Sequence, residues 1–160
     1  MIVGMADGPV QARYAHTNVV SDDWKRLVAF YVDVFGCEPV GVERDHHGEW
    51  IEKVTAIDGA RIRGVHLRMP GHGPDGPTLE VFQFDRNESR PRTRLNTPGF
   101  AHLAFEVDSM ERAAELVLAH GGGRVGAQWT KEVPGEGTIT LVYMTDPDGN
   151  VVELQQWERS

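Results

Sequence analysis

Two histidines and two glutamates occupy matching places in this chain. His16 opens the run HTNVV and His102 opens HLAFE, while Glu80 lies inside TLEVF and Glu153 inside VVELQ. Imidazole nitrogen and carboxylate oxygen are donors for zinc, nickel, cobalt, iron or manganese. A carboxylate buried alone among apolar neighbours is costly. A divalent cation removes that cost, uses both imidazoles as neutral donors, and acts as a Lewis acid on a substrate oxygen. Each residue also has an ordinary use. His102 serves as a hydrogen-bonded sheet histidine, His16 as a local cap, Glu80 as a solvent-facing edge residue, and Glu153 as the partner of an arginine such as Arg63. The shared placement of the four favours one common site.

Strand side chains alternate faces. Glu80 therefore shares a face with Phe82 and Phe84, opposite Leu79 and Val81; Glu153 opposes Val152 and Leu154; His102 opposes Leu103. If these faces line one cavity, two imidazoles and two carboxylates converge there.

The elements that must position them form a repeat. HTNVVSDDWKRLVAFYVDVFG, residues 16–36, and HLAFEVDSMERAAELVLAHGG, residues 102–122, each run from a histidine through a short strand and an acidic, serine-containing cap into a helix. Trp24, Leu27, Tyr31, Val34 and Phe35 form one helical stripe; Met110, Ala113, Ala114, Val117 and Leu118 form the other. Asp108 and Glu111 have capping-box spacing. Gly36 and Gly122 suit helix ends. Further strands are expected at PVGVE, WIEKVTAI, RIRGVHLRM and TLEVFQF in the first half, and at GRVGAQ, TKEVP, TITLVYMTD and VVELQQW in the second. HH in RDHHGEW reads as a turn, and DPDGN as a turn into the last strand. The expected fold is α+β: a single domain over residues 1–160 of two βαβββ modules, at 13–84 and 100–157, joined by a polar linker at 85–99. Two such copies can curve around a shared centre.

The bulk properties narrow the partners. A net charge of -8, with lysine and arginine in no long stripe, argues against nucleic acid. No apolar stretch approaches the ~20 residues of a membrane helix, and MIVGMADGPVQAR does not read as a signal peptide; a cytoplasmic protein is expected. The linker arginines Arg86, Arg90, Arg92 and Arg94 read as a solvated segment or as a contact for an anionic substrate tail. Cys37, the single cysteine, excludes an intrachain disulfide and reads as buried filling.

YAHTNVVSDDWKRLVAFYVDVFG, TLEVFQF, GFAHLAFEVDSMERA and YMTDPDGNVVELQQW together resemble the vicinal oxygen chelate superfamily, which includes glyoxalase I, methylmalonyl-CoA epimerase and extradiol dioxygenases. The resemblance covers residues 13–157, and it implies a cup-like mixed sheet around a divalent metal. The implied ligands are His16, Glu80, His102 and Glu153, a set similar to that of bacterial glyoxalase I. Nickel, cobalt or zinc is the implied metal, with iron or manganese as alternatives. Epimerases of the family usually carry glutamine where this chain has Glu80, and extradiol dioxygenases typically use two histidines and one glutamate.

The implied activity is that of a metal-dependent lyase or isomerase of the glyoxalase or epimerase type. It would stabilise an enediolate or enolate of a substrate with vicinal oxygens while Glu153 and Glu80 move a carbon-bound proton. An iron-dependent ring-cleaving dioxygenase and a non-catalytic binding or resistance module are the alternatives. A homodimer is implied, with each site built by one chain or shared by two. The epimerase pattern places a separate acid or base on a middle strand of the first half, the region of Glu49 and Glu52. His66 and Tyr143 are further candidates for the cavity, and Trp50, Trp129 and Trp157 are core, interface or pocket-narrowing residues.

Overall fold

The computed structural model describes residues 10–91 and 94–160. Arg92 lies outside the described residues. The first half runs β1 (His16–Val20), α1 (Trp24–Phe35), β2 (Glu38–His47), α2 (Glu49–Thr55), β3 (Arg61–Arg68) and β4 (Thr78–Phe84). The second runs β5 (His102–Glu106), α3 (Met110–Ala119), β6 (Gly123–Arg124), β7 (Trp129–Val133), β8 (Gly137–Thr145) and β9 (Val151–Arg159).

Each half folds the same way. The first and last strands pair in parallel, and the remaining pairs are antiparallel, giving orders β1-β4-β3-β2 and β5-β9-β8-β6, with β7 also on β8. A parallel pair needs a crossover, and the helix and the intervening strands make that connection in each half. Two curved mixed sheets with few helices give the expected α+β architecture.

The helices form because their apolar residues recur at helical spacing and their ends are capped. Asp23 accepts a hydrogen bond from the Arg26 amide at 3.1 Å, and Gly36 closes α1 in the left-handed region at φ 68°. Ser109, rather than Asp108, caps α3 by accepting from the Arg112 amide at 3.3 Å. His120 is the C-terminal cap of α3. Gly122 has a different job from Gly36: a Cβ there would lie 2.3 Å from the Thr145 carbonyl oxygen and 2.6 Å from Val117. Glycine is needed because helix and sheet touch. Leu118, expected in the α3 stripe, is exposed, while Met110, Ala113, Ala114 and Val117 are buried.

One core joins the two halves. Leu27, Tyr31, Leu67, Leu79, Val81, Val117, Val142, Met144, Val152 and Leu154 are buried in a single cluster. Helix α1 reaches the second half directly: Phe35 stacks on Phe105 at 3.9 Å, and the Tyr31 hydroxyl donates to Asp146 at 3.0 Å. Asp146 is buried and organises the DPDGN turn, accepting from the Asp148 and Asn150 amides, both at 2.9 Å. Across the surface, Arg26 bonds Asp148 at 2.5 Å and Arg90 donates to Asn150 at 2.7 Å. Cys37 is buried, and burial pushes its thiol pKa up to about 12.

Several local expectations are corrected. WIEKVTAI contributes a helix, not a strand. Gly48 precedes it, Glu49 and Glu52 occupy the first turn where the helix dipole favours anions, and Ile51 packs on Ala60, Ile62 and Phe82. The β-branched residues suggested a strand, but one anchored residue per turn suffices here. His46 and His47 end β2 rather than forming a turn, because β2 continues through an irregularity between Val40 and Arg44. GRVGAQ supplies only Gly123–Arg124 to the sheet.

Candidate functional site

The pairing register places the four sequence-identified residues. In the first half His16 sits opposite Thr78, two residues before Glu80; in the second His102 sits opposite Val151, two residues before Glu153. Each histidine is therefore diagonal to its glutamate across a parallel pair, at the same offset in both halves, and the long side chains close the gap. His16 Nε2 lies 3.7 Å from Glu80 Oε2, and His102 Nε2 lies 3.0 Å from Glu153 Oε2.

The symmetry extends to the third strand. His66 on β3 sits directly opposite Glu80, and Tyr143 on β8 directly opposite Glu153. His66 Nε2 is 2.9 Å from Glu80 Oε1, and its Nδ1 is 2.9 Å from the Thr78 hydroxyl. Burial, first, holds the His66 imidazole below its ordinary pKa, with Glu80 opposing and His16 and Arg44 adding to the effect. The Tyr143 ring lies 5.3 Å from that of His102; burial, the Glu153 charge and a hydrogen bond to that carboxylate push its hydroxyl pKa up. Both side chains, open candidates in the sequence, thus contact a candidate glutamate, and neither lines the cleft that His16 and His102 share.

The supports differ between the halves. Asn18 sits opposite Glu80 and donates to its Oε2 at 2.9 Å. The equivalent position opposite Glu153 is Ala104, which has no donor to offer. Gln155, two residues along the same face, fills the role: it donates to Glu153 Oε1 at 2.9 Å and accepts from the Trp157 indole at 3.2 Å. Glu153 is buried at 7% exposure, so this satisfaction matters. Asn18 and Gln155 carried no signal in the sequence beyond lying one alternation step from a candidate. Arg63, considered as a partner for Glu153, pairs with Asp85 instead. Glu49 and Glu52 lie in α2; Glu49 is exposed and Glu52 accepts from the Gly59 amide at 3.1 Å, so neither supplies an acid or base from a middle strand.

Both histidines line one cleft of 740 Å³ between the β1 and β5 edges, together with Tyr14, Asn18, Phe100 and Asn150. Among the described residues, the one histidine–carboxylate contact within 4.0 Å that crosses between the halves, His120 Nε2 to Asp33 Oδ2 at 3.9 Å, involves none of the four candidates, and no three His, Cys, Asp or Glu side chains converge to hold a metal ion. The four candidate ligands stand as two separate pairs, and of the four only His16 and His102 line the cleft. Each pair suits a divalent cation: a carboxylate shielded from water, an imidazole nitrogen beside it, and polar neighbours fixing the carboxylate. Ligands bonded at ~2.1 Å in adjacent octahedral positions lie about 3.0 Å apart, close to the spacing of the second pair.

Comparison with known proteins follows the same lines. The family model described as Glyoxalase/Bleomycin resistance protein/Dioxygenase superfamily matches residues 13–154. A 2-epi-5-epi-valiolone epimerase from Actinomyces sp is 29% identical over 147 residues, covering 87% of this chain and 76% of that protein. A lactoylglutathione lyase from Escherichia coli O157:H7 is 26% identical over 145 residues, covering 89% and 90%. Among solved structures, a glyoxalase family protein from Bacillus cereus superposes with a TM-score of 0.78 at 16% identity, covering 96% of this chain and 99% of that one. That likeness concerns the fold.

Proposed function

We propose, from the premise that this chain belongs to the glyoxalase/bleomycin resistance protein/dioxygenase superfamily, that it is a divalent-metal-dependent lyase or isomerase acting on a small molecule with vicinal oxygens. The observation that carries the reading is the repeated diagonal offset of His16 from Glu80 and of His102 from Glu153, with both histidines lining one cleft. These four residues would hold the cation, with nickel, cobalt or zinc preferred and iron or manganese as alternatives. A cation there supplies Lewis-acid stabilisation of negative charge on the substrate oxygens.

The chain's own groups do the rest. Glu153 takes the proton from the carbon next to the substrate carbonyl and returns it to the neighbouring carbon; for transfer to the same carbon's opposite face, Glu80 first takes a proton from solvent and delivers it, while Glu153 releases its own to solvent. Gln155 and Asn18 hold the two carboxylates in register while the proton moves. Tyr143, whose hydroxyl stays protonated beside Glu153, donates a hydrogen bond. A homodimer is the proposed working unit, with each site built by one chain or shared by two; sedimentation velocity tests the first part.

The test strips the protein with a chelator, reloads it with each metal, and measures bound metal and exchange of a carbon-bound proton with D2O. Hemithioacetals and acyl thioesters are the substrates to screen. Metal-dependent exchange is the expected result. Oxygen consumption with catechols and no exchange would replace the reading with an iron-dependent dioxygenase. Ligand binding without tight metal, surviving Glu153→Gln, would replace it with a binding or resistance module.

A further inference from the structure

A second cavity, of 760 Å³, lies where the linker passes the turn into β9, and none of the four candidate ligands lines it. Three arginines do: Arg90 and Arg94 from the linker and Arg124 from β6. Each is held in place by its own device. The Arg90 guanidinium donates to Asn150 Oδ1 at 2.7 Å, and the Asn150 amide is itself bound to the buried Asp146. Arg94 begins a closed turn, in which the Thr97 amide donates to its carbonyl and its own amide donates to the Thr97 hydroxyl, both at 2.9 Å. Arg124 sits in the two-residue strand paired with Thr145 and Met144. On either side of it the Gly123 amide donates to the Thr145 hydroxyl and the Val125 amide to the Tyr143 carbonyl, both at 3.0 Å. A strand of one half-buried glycine and one exposed arginine adds little to the core; what it fixes is where Arg124 stands. The charge on the wall is one-sided. Its single carboxylate, Asp148, holds Arg26 of α1 at 2.5 Å and is answered from outside the cavity. Among the described residues, neither Arg94 nor Arg124 forms an ion pair. In a chain of net charge -8, three guanidiniums around one space run against the sign of the whole surface.

We propose that this cavity is a binding site for an organic phosphate, with the phosphoryl group on Arg90, Arg94 and Arg124. A phosphomonoester carries a charge of about -1.5 to -2 near neutrality and offers three strong acceptor oxygens, which one carboxylate cannot match. Guanidinium forks suit those oxygens in geometry as well as in sign. The volume is larger than a bare phosphate needs and falls within the range of small-molecule pockets, which leaves room for a carbon body. The Asn96 amide, also on the wall, offers that body a polar contact. The proposal goes beyond the metal-dependent reading and uses none of its residues.

Calorimetric titration of chelator-stripped protein, at fixed ionic strength, keeps the test independent of any metal. Three probes are compared: glycerol 3-phosphate, inorganic phosphate and propionate. Glycerol 3-phosphate is expected to bind tightest, at least about tenfold tighter than propionate. Arg94→Gln and Arg124→Gln each weaken its binding about tenfold or more, the loss of one hydrogen bond to a charged group. Both side chains are exposed, so the melting temperature of the free protein stays where it was. Arg112→Gln, which removes an exposed arginine of α3 that does not line the cavity, leaves the affinity unchanged. No saturable binding of glycerol 3-phosphate up to ~10 mM overturns the site. So does binding that ignores both Arg94→Gln and Arg124→Gln, or that falls equally with Arg112→Gln. Inorganic phosphate bound as tightly as the ester overturns the assignment to an organic phosphate. None of these failures touches the metal-dependent reading, which is tested by bound metal and proton exchange.

Discussion

Replacing Tyr31 with phenylalanine removes one hydroxyl from the junction between α1 and the turn that leads into β9. That hydroxyl donates to Asp146 Oδ2 at 3.0 Å, and Asp146 is only 1% exposed. A hydrogen bond to a charged group contributes ~1.5–3 kcal/mol, and leaving a buried acceptor short of a donor adds to the loss. The Asn150 side chain at 2.6 Å and two backbone amides remain to satisfy the carboxylate, which keeps the expected deficit near about 2 kcal/mol. For a chain of this size that corresponds to roughly 4–8 °C in melting temperature. The pH dependence has a definite sign. Burial raises the Asp146 pKa above its ordinary value, while bonds from Asn150 and Tyr31 lower it. A raised carboxyl binds its proton better folded than unfolded, so its ionisation costs stability as pH rises through the folded value. Tyr31→Phe raises that value further. The deficit is therefore full near neutrality and shrinks in acid, once Asp146 is protonated. Urea unfolding at pH about 7 and about 4, with Asp146→Asn completing a double-mutant cycle, measures it. A deficit under ~0.5 kcal/mol at neutral pH, or one that grows in acid, would refute the reasoning.

Gln155→Leu keeps the size of the side chain but leaves Glu153 Oε1 without its donor; metal affinity by calorimetry should fall about 10–100-fold with the circular dichroism spectrum unchanged. Gly64→Ala forces a Cβ to 2.0 Å from a backbone carbonyl oxygen, so a loss of at least about 3 kcal/mol, or failure to fold, is expected in denaturant unfolding. Cys37, with its thiol pKa near about 12, should react with a disulfide reagent only after denaturant is added. Mixing Glu80→Gln with Glu153→Gln protein decides how the two separate pairs combine: no restored proton exchange places each site in one chain, and recovery toward about a quarter of wild type shows that sites draw on two chains.

The repeat was legible because its cues are local. Histidine, cap, amphipathic stripe and glycine recur at equal spacing, and alternation in TLEVF and VVELQ assigns each glutamate a face. Pairing each histidine with its own glutamate needs the strand register, which no local pattern encodes. That is why Asn18 and Gln155 were missed: their role depends on which strand lies alongside. His66 and Tyr143 were visible as polar residues in apolar strands, yet only the antiparallel register puts each opposite a carboxylate. The segment WIEKVTAI misled because its β-branched content outweighed its acidic first turn. The exposed C-terminal end of α3 and the two-residue β6 show the same limit, since tertiary contact rather than propensity decides where short elements stop.

The parallel pairing of the first strand with the last has a consequence for synthesis. As the chain leaves the ribosome, His16 emerges long before its partner Glu80, and His102 long before Glu153; neither carboxylate can meet its imidazole until the whole half has been made. A nascent chain stalled before Val151 would carry three of the candidate donors and no buried Glu153 among them. On the metal-dependent reading, a cation would meet all four donors only after β9 has been made.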